Sequence, residues 1–185
     1  MSPIIGIMAS ANWSSANASS FESIASASGT GSSGTITFSS IPSTYQHLQV
    51  RLLGNTSTTQ ASWGVRLNGS STATDYTAHK LTGNGSTATA GAYANNTNTY
   101  LWCGETGGVA ANMNVAIIDI QDYALTTNKK TIRTFTGVDN NSTIGFVTLS
   151  SGLYMQSTAI SSLTIYCGSN WSSTTQVALY GIKGA

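Results

Sequence analysis

Charged side chains are scarce in this chain of 185 residues. Only 7% of its residues are charged, and the formal net charge is +1. Proteins that bind nucleic acid neutralise phosphates with clustered lysine and arginine, and the sequence contains neither such a cluster nor an acidic tail. It therefore argues against a nucleic-acid partner. Sparse charge also leaves little repulsion between copies, which favours a protein that lives in an assembly.

Cysteine, histidine and long apolar runs are also scarce. Cys103 and Cys167 lie on separate predicted strands, and two buried free thiols are favoured over a disulfide, although the spacing does not decide between them. His47 and His79 lack the spacing of metal ligands and are expected on strand surfaces. The apolar start is too short to span a bilayer and lacks the basic flank of a signal peptide. We expect no membrane association, no metal and no cofactor.

Catalytic motifs are missing as well. Asp119 and Asp122 resemble a carboxylate pair, but at this spacing on one strand they point to opposite faces, and we interpret them as the start of a turn. The segment Gly137–Thr143 is rich in side-chain oxygen yet lacks the spaced acidic ligands of a calcium loop, so a hairpin turn is favoured. We therefore expect neither enzymatic activity nor a small-molecule substrate.

Hydroxyl and amide side chains take the place of charge. Serine and threonine number 55, with 14 asparagines and 19 glycines, while 40% of the residues are hydrophobic and fall in runs of period two. Strands separated by Ser/Asn/Gly turns follow one another every ten to fifteen residues, which is typical of a sandwich or jelly roll. The sequence predicts an all-β jelly-roll or β-sandwich domain of about ten strands over residues 21–185. The nine Asn-x-Ser/Thr matches are expected by chance in such a composition.

Two predicted strands are especially clear. "HLQVRLL" alternates strictly, with Leu48, Val50 and Leu52 facing inward. "MNVAIIDIQDY" carries a nearly continuous apolar run from Val115 to Ile120. Such a run predicts a central strand that is covered on both of its faces.

Residues 1–20 differ from the rest of the chain. They combine an apolar start with "ASANWSSANASS" and show no period compatible with a core. We interpret them as an extended N-terminal arm whose apolar side chains bind a groove on a neighbouring subunit or another protein. The alternative is a first strand packed on its own domain. The predicted partner-binding residues of the arm are Pro3, Ile4, Ile5, Ile7, Met8 and Trp13.

The aromatic residues allow a second kind of site. An exposed row of rings beside asparagine or aspartate would form a sugar-stacking platform, because ring faces meet the C–H faces of sugars. Trp63, Trp102 and Trp171 are the candidate glycan-binding residues. Packing in a core or an interface explains these rings equally well.

Several segments carry a family resemblance. They are "SSFESIAS", "GTITFSSIPSTYQHLQVRL", "DYTAHKLTGNGS", "VAIIDIQDYALTTNKKTIRTFTG" and the closing "TQVALYGIKGA". From Phe21 onward the chain resembles a family of virion structural proteins of tailed bacteriophages, including cyanophages. The resemblance implies a small jelly-roll protein that acts on the particle, and it implies no catalytic residues.

Two functions follow as expectations. The first is a capsid cement, or decoration, protein that binds the major capsid protein on the outer capsid surface at capsomer junctions. It would act as a homotrimer, because copies around a local threefold axis multiply a weak contact. The alternative is a tail-fibre or receptor-binding module that recognises a host surface glycan. A free secreted lectin would require an export signal, which we do not find.

Overall fold

The fold is a sandwich of two antiparallel sheets. The computed structural model describes residues 20–56, 60–94, 98–107, 112–139 and 145–184. Within these ranges there are twelve strands, no α-helix and one 3₁₀ turn at Ala73–Asp75. The predicted all-β sandwich is confirmed, with somewhat more strands than expected. Of the predicted arm, only Ser20 falls within the described residues.

The larger sheet has eight strands and the smaller has four. Their orders are β1-β12-β3-β8-β9-β10-β5-β6 and β2-β11-β4-β7. In chain order the strands are β1 (Phe21–Ser28), β2 (Thr35–Phe38), β3 (His47–Gly54), β4 (Ser62–Leu67), β5 (Tyr76–Gly83), β6 (Ala88–Tyr93), β7 (Leu101–Glu105), β8 (Asn114–Ile120), β9 (Lys130–Asp139), β10 (Gly145–Tyr154), β11 (Leu163–Cys167) and β12 (Gln176–Ile182).

The core lies between the two sheets. Leu48, Val50 and Leu52 of β3 are all buried, as the alternation of that strand predicts. Trp63 and Trp171 meet edge to face at its centre, with ring centroids 6.1 Å apart. Aromatic pairs in this geometry contribute about 0.5–1.5 kcal/mol beyond the area that they bury.

Strand β8 is the fourth of the eight strands and is therefore central, as predicted. Its inward residues Ala116, Ile118 and Ile120 are buried. The prediction that both of its faces are covered is wrong for the chain by itself, because Val115 and Ile117 point outward and are 54% and 38% exposed. Strand β8 thus carries more apolar side chains than the fold of the isolated chain buries.

Strand β7, at the edge of the small sheet, packs closely against β9 and β10. A Cβ atom on Gly104 of β7 would lie 2.9 Å from the Thr136 hydroxyl, and one on Gly152 of β10 would lie 2.3 Å from Leu101 Cδ1. Large side chains do not fit at such separations. The inward positions of β9 and β10 that face β7 accordingly hold small residues, which are Thr134, Thr136, Thr148, Ser150 and Gly152.

This close packing predicts opposite outcomes for two glycines. Gly152→Val places methyl groups against Leu101 and should destabilise the fold by about 1–3 kcal/mol, the usual cost of overpacking. Gly137→Val is the matched control, because a Cβ there meets nothing closer than the Phe146 carbonyl oxygen at 4.0 Å. Urea unfolding of the two variants measures the difference. Equal midpoints would contradict the packing described here.

Candidate functional site

The outward side of the large sheet carries a group of exposed apolar residues. In the middle of β9 and β10, where β7 packs, the inward positions hold threonine and serine, whereas Phe135, Val147 and Leu149 point away from the core and are about half exposed. Leu53, Leu81, Val115 and Ile117 lie on the same side. We call these seven residues the outer apolar face. A strand with one face in water usually points its apolar residues inward and its polar residues outward. The middle of β9 and β10 shows the opposite arrangement.

Strand register arranges these residues in two adjacent rows. The first row consists of the directly opposed residues Arg51, Ile117, Phe135, Leu149 and Leu81, of which Arg51 at the β3 end is charged. The second consists of Leu53, Val115, Gly137, Val147 and Gly83. Five strands about 4.8 Å apart and two rows about 6.7 Å apart outline a patch on the order of 300 Å². Patches of this size on a protein surface are often functional.

A polar row borders the patch on the same side of the sheet. Its members, in register, are Gln49, Asp119, Arg133, Ser151 and His79. Gln49 donates a hydrogen bond from Nε2 to the Asp119 carboxylate at 2.9 Å, and Arg51 donates to Gln49 Oε1 at 3.0 Å. The outer apolar face therefore ends abruptly at a hydrogen-bonded polar margin, as a docking surface with a polar rim does.

Two hollows flank the ridge that Val115 and Ile117 form. One, of about 840 Å³, lies over the small residues of β1 and β12, including Ser26 and Ala178. The other, of about 980 Å³, lies over Gly137 and Gly83. This side of the sheet is therefore uneven, and a side chain of complementary shape can enter either hollow.

Three inward hydroxyls of the same strands contact polar groups within the protein, whereas the buried Thr136 hydroxyl has no hydrogen-bond partner among the described residues. Ser150 donates to the Trp102 carbonyl oxygen of β7 at 3.3 Å, and the Thr148 and Thr82 hydroxyls lie 3.0 Å apart. Thr134 contacts the Cys103 carbonyl oxygen at 3.5 Å, at the long limit for a hydrogen bond. These contacts keep the polar side of β9 and β10 facing inward and the apolar side facing outward.

The three tryptophans predicted for glycan binding lie inside the protein. Trp63 and Trp171 are fully buried, and Trp102 is only 3% exposed. A sugar stacks on an accessible ring face, so these side chains do not form the platform that the sequence allowed.

The accessible aromatics are arranged differently. On the outward side of the small sheet, Tyr100 and Tyr166 have ring centroids 5.0 Å apart, and the Arg66 guanidinium lies 3.8 Å over the Tyr166 ring. Arginine therefore covers a ring face that a sugar would need. Burial raises the pKa of Tyr100 to about 12.

The remaining candidates from the sequence do not converge. Asp119 accepts its bond from Gln49, whereas Asp122 lies in the turn after β8, where its backbone N–H donates to His47 Nδ1 at 3.0 Å. His79 is exposed on β5. Among the described residues, no group of three or more His, Cys, Asp and Glu side chains is arranged to hold a metal ion. The arm residues Pro3, Ile4, Ile5, Ile7, Met8 and Trp13 and most of the 137–143 loop lie outside the described ranges.

Phe135, Val147, Leu149, Leu81 and Leu53 were not predicted as site residues. Their signal is present in "TFTG" and "VTLS", where large apolar residues alternate with hydroxyls. Alternation identifies two faces but not which of them points inward. Only the position of β7 over β9 and β10 decides that the hydroxyls face the core.

No family model, curated protein or solved structure matches this chain. Within the ranges that the structure describes, no helix is long and apolar enough to cross a membrane.

The two cysteines are free and buried. Cys103 lies on β7 and Cys167 on β11, and β4 lies between these strands. Two strand spacings, about 9.6 Å, exceed the Cα separation that a disulfide spans. The spacing in the sequence left open whether the two cysteines form a disulfide. In the structure they are free thiols.

The buried thiols should be unreactive until the protein unfolds. Burial raises the pKa of both Cys103 and Cys167, so the reactive thiolate is suppressed as well as shielded. Ellman's reagent should label neither thiol in the native protein at pH 8 and both after denaturation in urea. Rapid labelling of the native protein would contradict this burial, and Cys103→Ala would show which thiol was responsible.

Proposed function

We propose that this chain is a structural subunit of a tailed-phage particle, acting as a capsid cement protein. In this role it binds the major capsid protein on the outer capsid surface at capsomer junctions, and it does so as a homotrimer. The observation that carries the proposal is the outer apolar face, since a protein with apolar residues outside and hydroxyls inside on the same strands is suited to an assembly.

The energetics support an assembled state. Burying apolar surface contributes about 25 cal/mol per Å², so covering a patch on the order of 300 Å² contributes roughly 7–8 kcal/mol before the costs of association. Those costs are of similar size, so one such contact is marginal by itself. A lattice that repeats it gains avidity.

The composition of the chain supports the same role. With a net charge of +1 and 7% charged residues, copies repel one another weakly and can stand close together on a shell. Apolar surface and low charge indicate an assembly but not which kind. The resemblance to virion structural proteins from Phe21 onward is what points to a phage particle.

The alternative of a tail-fibre or receptor-binding module has less support. Its candidate rings Trp63, Trp102 and Trp171 are buried, and Arg66 covers the accessible Tyr166. A glycan site would have to use residues other than those predicted.

Copy number in purified particles tests the proposal. Quantitative mass spectrometry should find about one copy for each major capsid subunit, because a capsid lattice offers that many equivalent sites. A few copies per hundred capsid subunits would place the protein on the tail and contradict a cement role, and absence from particles would contradict any structural role.

A further inference from the structure

We propose that the outer apolar face binds the same face of a second copy, across a twofold axis that crosses β9 at the level of Thr136. The two large sheets would lie face to face, with their β9 strands running antiparallel to each other at the centre of the contact. A twofold contact cannot close a ring of three. This pairing is therefore additional to the threefold association proposed above and does not rest on it.

Strand β9 carries a self-complementary set of outward residues. From its middle to its end they are Arg133, Phe135, Gly137 and Asp139. A twofold axis at Thr136 places Phe135 of each copy over Gly137 of the other. It also places Arg133 of each copy opposite Asp139 of the other. One rotation thus matches a large side chain with a glycine, and a positive charge with a negative one, twice each.

The hollow over Gly137 gives the incoming phenylalanine ring a place. It has a volume of about 980 Å³, and its lining includes Val115, Val147 and Asp139. A strand glycine often marks a position where another chain approaches closely. Gly137 and Asp139 lie two residues apart, as do Phe135 and Arg133, so each pair is separated by about 6.7 Å along the strand. A ring that enters the hollow therefore brings its own arginine to the carboxylate.

The charges distinguish this axis from two other twofold arrangements of the facing sheets. An axis along β9 would oppose Arg133 to Arg133 and Asp139 to Asp139. An axis between β9 and β10 would set these two residues opposite their register partners Ser151 and Gly145, and would give neither charge an opposite charge across the contact. Like charges in contact, and desolvated charges with no opposite charge across an interface, oppose association. Of the three arrangements, the axis across β9 at Thr136 is the one that pairs the charges.

Two further charges on this side of the sheet, Arg51 and Asp119, are held within the chain. Gln49 donates to the Asp119 carboxylate at 2.9 Å, and Arg51 donates to Gln49 at 3.0 Å. The guanidinium carbon of Arg51 lies 5.3 Å from the centre of the Tyr180 ring on β12. Both charges thus belong to the margin of the contact, where polar groups of an interface stay solvated.

The outward side of the large sheet is wide enough for such a pair. Its eight strands, about 4.8 Å apart and about seven residues long, span roughly 34 by 24 Å, on the order of 800 Å². A standard interface buries about 800 Å² from each partner. Sheets that pack face to face keep their strand directions within about 30° of each other. The contact would be closest over β8, β9 and β10, which carry most of the apolar rows.

Charge reversal tests the proposal, with sedimentation equilibrium of the full-length protein as the measurement. Pairing should at least double the average mass of the unaltered protein as its concentration rises. Arg133→Asp sets two carboxylates opposite each other at both ends of the contact, and Asp139→Arg sets two guanidinium groups there. Each variant alone should weaken pairing at least tenfold, on the order expected for close charges at an interface.

A mixture of the two variants gives the sharper readout. In a mixed pair, Arg133→Asp and Asp139→Arg restore opposite charges at both ends of the contact, so an equimolar mixture should pair where neither variant does. Repair within one chain is excluded, because positions 133 and 139 lie about 20 Å apart on β9. Arg66→Asp is the matched control, since it makes the same change on the small sheet and should leave pairing unaltered.

Filling the hollow tests the match of ring and glycine separately. Gly137→Val adds methyl groups without a steric clash in its own chain, and it leaves the partner's ring no room. It should weaken pairing, while the thermal midpoint of dilute, unpaired protein stays unchanged or rises.

Three results would overturn the proposal. The unaltered protein could stay unpaired at every concentration, as it would if its own residues 1–19 occupied the face. Both single variants could pair as tightly as the unaltered protein. The mixture could also fail to pair although each variant keeps the unaltered thermal midpoint. The copy number in particles is independent of all three, so the pairing and the proposed function can fail separately.

Discussion

The close approach of β7 to β9 and β10 determines which side chains of β9 and β10 face the core and which face outward. Because Gly104 and Gly152 leave no room for larger side chains, the facing positions must be small, and threonine and serine fill them. In a strand, the choice of one face determines the other. Once the hydroxyls face β7, the phenylalanine, valine and leucine between them must point outward. The part of the outer apolar face on β9 and β10 is therefore a consequence of how the sandwich closes.

The two sides of the large sheet contribute unequally to the stability of the domain. The inner side, with Leu48, Val50 and Ile118 fully buried, holds the domain together on the half that packs against the small sheet. The outer side contributes little to the isolated domain, because its side chains remain half exposed. Residues on the outer side can therefore suit a partner without compromising the fold, which is the usual reason that interfaces occupy the outward face of a rigid sheet.

Much of this fold could be predicted from the sequence, because period-two alternation and turn residues are local signals. Strand β3 and the central place of β8 were predicted correctly on that basis. Which side of β9 and β10 faces the core depends on β7, whose contacts with them are distant in sequence, and alternation is symmetric between the two choices. For the same reason the tryptophans could be candidates for a surface from sequence alone, whereas the fold places Trp63 and Trp171 together in the core.

The sequence predicted that both faces of β8 are covered, and the isolated chain covers only one of them. A nearly continuous apolar strand is typical of a sheet covered on both faces, and Val115 and Ile117 fit that pattern although the chain covers only one face. In the proposed assembly, the second covering layer would belong to another chain. The pattern of β8 then describes the strand in the assembled state rather than in the isolated subunit.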